Sequence, residues 1–237
     1  MNRFAEARAK ELDYHERFYR ETELFQPGSW LSRPVQAVME TLRMLDIPGP
    51  RILDLGCGVG RNSIPMALAV RQACGKVTCI DILPSAIDKL LDHARQYGVE
   101  GMIEGYAADV EHYDIEEKSY HFIVACSCLE HMGSEAAFMH KLHEMRAATL
   151  PGGINCIFMS TDVMETDLST GEKQPGLIEL NLSAEQAFSI LRKVYADWET
   201  LKENAIQQTI PEVKDGKSIL FQSQWITFIV KKYLMHG

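Results

Sequence analysis

Apolar and charged residues mix at helical spacing from Asn2 to Glu21, break at Pro27-Gly28-Ser29, and resume from Pro34 to Leu45 until Pro48-Gly49-Pro50 stops them. Two helices are therefore predicted ahead of the first strand. The period then changes. Short apolar segments at 51–55, 76–81, 102–107, 120–126 and 153–160 read as strands, and helical patterns fill 61–73, 84–97 and 134–148. Strands separated by helix-length crossovers lie parallel, so this part of the chain predicts a doubly wound sheet. The punctuation agrees: Pro84-Ser85 opens a helix after Asp81, Gly98 closes it, and Pro151-Gly152-Gly153 turns into the next strand.

After Ser160 the pattern loosens. Thr161 to Gly176 is rich in Thr, Asp, Glu, Gly and Pro, which predicts a surface loop or lid, and a helix follows over 183–194. Two β-rich segments, 197–209 and 217–231, flank Lys214-Asp215-Gly216; Asp-Gly between alternating apolar runs predicts a hairpin. The expected fold is α/β: a doubly wound, mostly parallel seven-stranded sheet with an antiparallel last strand. It forms one domain over 1–237, in which 1–50 is a helical lead or lid and 161–182 a candidate active-site loop.

With 237 residues, 46% of them hydrophobic, the chain can fill a core without metals or disulfides. A net charge of −9 argues against a sequence-independent nucleic-acid binder and favours a small-molecule partner. The six cysteines lie scattered in strand-like and helix-like segments, a pattern of reduced thiols. The charged start, Met1 to Tyr19, has no apolar leader, and no apolar run is long enough to span a bilayer. These features predict a cytoplasmic protein without membrane or nucleic-acid partners, as a monomer or homodimer.

The chemistry concentrates in Arg51-Ile52-Leu53-Asp54-Leu55-Gly56-Cys57-Gly58-Val59-Gly60-Arg61-Asn62-Ser63, where a strand enters three alternating glycines and then a helix start. Such a turn lets a ligand approach the backbone beside unpaired helical N–H groups. Gly60 is followed by Arg61-Asn62 rather than Lys-Ser, against an ATP phosphate loop. The third glycine comes two residues after the second rather than three, against a dinucleotide fingerprint.

The pattern Asp54-x-Gly56-x-Gly58-x-Gly60 resembles motif I of the class I S-adenosylmethionine-dependent methyltransferases. The likeness continues at Asp81, at Ala107-Ala108-Asp109-Val110, at the strand ending in Cys126 followed by Leu129-Glu130-His131-Met132, and at Leu150-Pro151-Gly152-Gly153. Within that superfamily, Gly60-Arg61-Asn62-Ser63 looks most like the tellurite-resistance methyltransferases, a similarity covering roughly residues 51–232.

The resemblance implies a Rossmann-like fold and S-adenosyl-L-methionine as cofactor, with methyl transfer to a small-molecule acceptor. It implies that Gly56, Gly58 and Gly60 admit the methionine part and that Asp54 faces its amino group. Asp81 would take the ribose, Asp109 with Val110 the adenine, and Cys126 and Ser127 would lie near the methyl; Cys57, Asn62 and Ile82 complete the set. A carboxylate suits vicinal hydroxyls because it has only acceptors. His131, just beyond the fourth strand, is a candidate general base. Phe25, Trp30, Tyr19 and Arg33 are candidates to close over a sulfonium. Cys126-x-Cys128 with His131 offers a soft donor set for a metalloid, although strand residues two apart simply share a face. A module that binds the cofactor without turnover and an NAD-dependent reductase remain as alternatives.

Overall fold

A computed structural model describes residues 3–176, 178–214 and 216–234 of the chain. The strands β1 (Arg51–Leu55), β2 (Lys76–Asp81), β3 (Ile103–Ala107), β4 (Tyr120–Cys126) and the first part of β5 (Thr149–Asp167) run parallel in the order β3-β2-β1-β4-β5. β1 and β4 are buried nearly throughout, as central strands covered on both faces must be. Alternate residues feed two separate cores. Ile52, Val77, Phe122 and Val124 pack with α3 (Ser63–Val70) and α4 (Pro84–Gln96). Leu53, Ile80, Ile123 and Ala125 pack with α5 (Glu135–Ala148) and α6 (Ala184–Val194). The helix starts are locally encoded: Ser134 caps α5 by accepting the Ala137 N–H at 3.1 Å, and Ser183 with Gln186 forms a capping box on α6.

The sheet continues antiparallel. β8 (Lys217–Lys231) slots between β5 and β7 (Glu199–Lys214) and is antiparallel to both, so the last strand of the chain is the reversed one, as expected. Lys214 pairs with Lys217 across a two-residue turn in which Gly216 has φ +75°. Asp215 of the expected Lys214-Asp215-Gly216 turn lies outside the described residues.

One expectation is corrected. The polar stretch from Thr161 is not a loop up to Gly176: β5 runs on to Asp167, paired with β8 through Ile219, and a short β6 (Lys173–Pro175) pairs with Met164–Thr166. The expected seven strands form the path β3-β2-β1-β4-β5-β8-β7, and among the described residues β6 adds an eighth off that path. Polar composition misleads here because Thr161 and Glu165 are buried, and the long apolar β8 supplies a ladder partner for the extension. A register shift between Thr161 and Met164, with Asp162 at φ +51°, bends the strand there.

The lead comprises α1 (Arg3–Glu21), a 3-10 turn at Trp30–Ser32 and α2 (Gln36–Leu42), the last shorter than the 34–45 pattern suggests. Among the described residues no helix is long and apolar enough to cross a membrane.

Candidate active site

The strands β1, β2, β3 and β4 all end at one cavity of about 880 Å³, walled by the residues that follow each of them and by α1, β5, β7 and β8. The carboxyl edge of a parallel sheet, at its point of strand-order reversal, is where such folds hold ligands. The volume suits a nucleoside with room for a second small molecule.

The glycine loop is built for close approach. Gly56, Gly58 and Gly60 have φ of +69°, +53° and +99°. A Cβ on Gly56 would stand 2.5 Å from Cys128 Cβ, and one on Gly58 2.6 Å from the Tyr19 hydroxyl. The Gly56 and Cys57 amides both donate to the Ile80 carbonyl, at 2.8 and 3.0 Å, tying the loop to β2. Asp81 then reaches back from β2, accepting the Gly58 N–H at 2.8 Å on Oδ2 and the Leu83 N–H at 3.0 Å on Oδ1. Burial pushes its carboxyl above the usual range, and those two amides pull it back.

Of the twelve residues assigned to the cofactor and the candidate base His131, eleven line the cavity: Gly56, Cys57, Gly58, Asn62, Asp81, Ile82, Asp109, Val110, Cys126, Ser127 and His131. Gly60 and Asp54 do not. Gly60 faces Leu90 and Ile64, so its role is packing the turn onto α4. Asp54 is buried behind the loop, where its Oδ2 accepts the Ser63 hydroxyl at 2.6 Å and its Oδ1 has no hydrogen-bond partner. Burial raises its carboxyl to about 7 against the pull of Ser63. Ser127 holds φ +53° at the end of β4, a backbone strain of the kind that collects at working sites.

The lead supplies the roof. Tyr19 and Trp30 line the cavity as expected, while Phe25 packs away from it against the Tyr97 ring at 5.7 Å. Arg33 does not reach the lining either. Arg61 stacks its guanidinium over Trp30 at 5.1 Å, donating to the Trp30 carbonyl at 3.1 Å and to Cys126 Sγ at 3.3 Å.

An ionic cluster, unseen in the sequence, fastens α1 to the strand ends. Arg8 Nη2 meets Asp109 Oδ2 at 2.9 Å, and Arg8 Nε lies 3.7 Å from Glu179 Oε1. Glu179 Oε2 meets His131 Nδ1 at 2.8 Å, and Glu11 stands 3.8 Å from His131 Nε2 and 2.8 Å from His15 Nε2. Burial lowers the His131 pKa, but the Glu179 hydrogen bond and the charges of Glu11 and Glu130 outweigh it and lift it to about 9. The imidazolium therefore predominates at neutral pH, and a base role would require the minor neutral form. Glu130 is buried, its Oε1 accepting the Ser160 N–H at 3.0 Å while Oε2 has no hydrogen-bond partner.

The soft donor set does not assemble. Cys128 Sγ is directed to the Leu55 carbonyl at 3.2 Å and Cys126 Sγ to Arg61. Among the described residues no three His, Cys, Asp or Glu side chains gather as a metal-binding group.

Residues 52–153, the glycine loop through the start of β5, match the family model described as a methyltransferase domain. Over that segment the chain is similar to a methyltransferase domain. It is the domain of S-adenosyl-L-methionine-dependent enzymes, and the class I, Rossmann-like sheet described above is its fold.

This chain is similar to hemagglutinin 1 of Eikenella corrodens, with 27% identity over 183 residues, 77% of this chain and 54% of that protein. A second relative is a carboxy-S-adenosyl-L-methionine synthase of Vibrio parahaemolyticus, 26% identical over 122 residues, 52% of this chain and 48% of the synthase. The chain thus spans about half the length of these relatives. Among solved structures, TehB from Haemophilus influenzae superposes with a TM-score of 0.64 at 21% identity, covering 92% of this chain and 66% of TehB. At that identity the likeness is one of fold.

The residues fit the cofactor by the structure's own chemistry. Gly56 and Gly58 hold the loop backbone at the cavity in a conformation where a Cβ would collide with Cys128 or Tyr19. A carboxylate, Asp81, stands at the end of β2 on the cavity wall.

Proposed function

We propose that this protein transfers a methyl group from S-adenosyl-L-methionine to a small-molecule acceptor held under α1. The observation that carries this reading is the continuity of the site: the glycine loop and Asp81 open into the same cavity that runs on past Cys126 and Ser127 to Glu130 and His131. The cofactor supplies a sulfonium-bound methyl group; the protein's task is to align the acceptor in line with it and to exclude water.

Gly56 and Gly58 would admit the methionine arm, with Cys57 and Asn62 beside it. Asp81 would bind the ribose hydroxyls next to Ile82, and Asp109 with Val110 the adenine. Arg61 is the guanidinium available to the methionine carboxylate, and Asp54 acts on its amino group from behind the loop, through water or loop atoms. Residues 1–50 serve as the cover, and part of 161–182, through Val163, Glu165 and Glu179, as one wall. Five of the six free cysteines are buried, which supports a reducing, cytoplasmic setting.

The tellurite-resistance resemblance rests on the Gly60-Arg61-Asn62-Ser63 sequence, and the likeness to TehB adds support at the level of fold. An oxyanion acceptor would meet Glu130, Glu165 and Glu179 on the cavity wall, so we favour an acceptor that is not an anion.

Calorimetry with S-adenosylmethionine and S-adenosylhomocysteine, followed by assay of S-adenosylhomocysteine release over an acceptor panel, tests the proposal. Binding together with turnover is the expected result. Binding without turnover on any acceptor would favour a regulatory module, and competition by NAD would point to a reductase.

A further inference from the structure

Resting on the methyl-transfer reading above, we propose that the acceptor is an amine, bound as its ammonium by Glu130 in a pocket walled by Glu165, Phe221 and Trp225.

Glu130 lies four residues after β4, in the 3-10 turn Leu129–His131, and lines the same cavity as Cys126 and Ser127. It is 2% exposed. The Ser160 N–H fixes one oxygen, and the other has no hydrogen-bond partner. A buried carboxylate left half-satisfied is costly unless a donor or cation arrives to complete it.

Most cations nearby are paired with other carboxylates, and Arg61 is stacked on Trp30 and bonded to its carbonyl and to Cys126 Sγ. Arg8 is shared between Asp109 and Glu179, and His131 between Glu179 and Glu11. Lys10 and Arg17, also at the rim, pair with Glu6 at 3.4 Å and Asp13 at 3.3 Å along α1. Glu165, 5% exposed, adds a further carboxylate to the same wall.

The aromatic component is placed by strand register. Trp225 pairs with Ser160, whose amide holds Glu130, and Phe221 pairs with Glu165; both rings line the cavity. Carboxylates beside aromatic faces form a site for an organic ammonium.

The chemistry closes. The bound ammonium passes one N–H proton to the Glu130 carboxylate. The freed lone pair attacks the methyl carbon, and the carbon–sulfur bond breaks with its electron pair going to sulfur. The N-methylammonium product leaves, and Glu130 returns its proton to solvent.

The test measures binding apart from turnover. 2-Phenylethylamine and n-hexylamine, with the matched alcohols 2-phenylethanol and n-hexanol, are titrated calorimetrically into protein saturated with S-adenosylhomocysteine. The amines should bind about tenfold or more tightly than the alcohols, and Glu130→Gln should remove that preference while leaving S-adenosylhomocysteine affinity within about twofold. Equal binding of amines and alcohols by the wild type would overturn the proposal, as would an undiminished amine preference in E130Q. Loss of S-adenosylhomocysteine binding by the wild type would instead defeat the methyl-transfer reading. S-adenosylhomocysteine release on oxygen acceptors but not on amines would overturn the amine assignment and leave that reading standing.

Discussion

Asp81 holds the glycine loop and, in the proposed function, binds the cofactor's ribose, so its substitution should register in two measurements of calculable size. The carboxylate accepts the Gly58 N–H at 2.8 Å and the Leu83 N–H at 3.0 Å, and the residue is 8% exposed. In Asp81→Asn only one side-chain oxygen can accept, so one of these amides loses its partner. A hydrogen bond to a charged group is worth about 1.5–3 kcal/mol. Part of that loss is returned, because burial already pushes this carboxyl above its ordinary range and a neutral amide avoids the desolvation. The net destabilisation should be about 1–2 kcal/mol, or roughly 2–8 °C in Tm for a chain of this size. Cofactor binding should suffer more: losing one charge-assisted ribose contact alone costs about 1.5–3 kcal/mol, a weakening of about 10- to 150-fold. Asp81→Ala strands both amides and should be worse on both counts, so it does not isolate the ribose contact. Calorimetry with S-adenosylhomocysteine and thermal unfolding on the same samples separate the effects. A folded Asp81→Asn protein whose affinity stays within about threefold of wild type would refute the ribose assignment.

Other positions make equally direct claims. Glu179→Gln should drop the His131 pKa from about 9 toward 6.5, read by NMR titration of the imidazole; a value still near 9 would show that Glu179 is not its principal partner. The folded-state pKa is raised, so this contact stabilises fully below about pH 6.5 and fades as pH rises through about 9, by roughly 3 kcal/mol at most. Asp54, raised to about 7, works over a lower window: its burial cost appears as pH climbs from about 4 through 7. Asp54→Asn, which keeps an acceptor for Ser63, should therefore raise the urea midpoint at pH 8 and leave it nearly unchanged at pH 4; equal shifts at both would contradict the titration. Gly56→Ala combines a φ of +69° with a 2.5 Å approach to Cys128 Cβ and should cost about 2–4 kcal/mol in thermal unfolding. Arg8→Ala should speed proteolysis within α1 while moving Tm little, because partly exposed ion pairs contribute about 1 kcal/mol or less; unchanged cleavage would mean that Arg8 does not fasten the helix.

The division between what was legible in the chain and what was not follows the range of the forces involved. Period-2 and period-3.6 patterning placed all five parallel strands and the three helices between them, because burial on both faces of β1 and β4 forces apolar runs that nothing local contradicts. The glycine loop was legible for the same local reason: φ above zero at Gly56, Gly58 and Gly60 can be met cheaply by one residue type. The extension of β5 was hidden because its polar stretch buries Thr161 and Glu165 and finds its ladder partner in β8, some fifty to sixty residues later.

The ionic cluster was hidden more deeply. Arg8, Glu11, His131 and Glu179 come from three distant parts of the chain, and each alone is an ordinary charged residue of a surface helix or polar stretch. Only their convergence makes His131 an imidazolium, which is why sequence spacing marked it as a base whereas its surroundings hold it protonated. Glu130 illustrates the same limit from the other side: beside His131 it reads as part of a motif, and only burial exposes the oxygen left without a donor. The glycine loop proposed to hold the cofactor, built from backbone geometry, is thus written locally. The proposed acceptor site depends on charges that meet only after the sheet, its antiparallel extension and the lead helix have closed around one cavity.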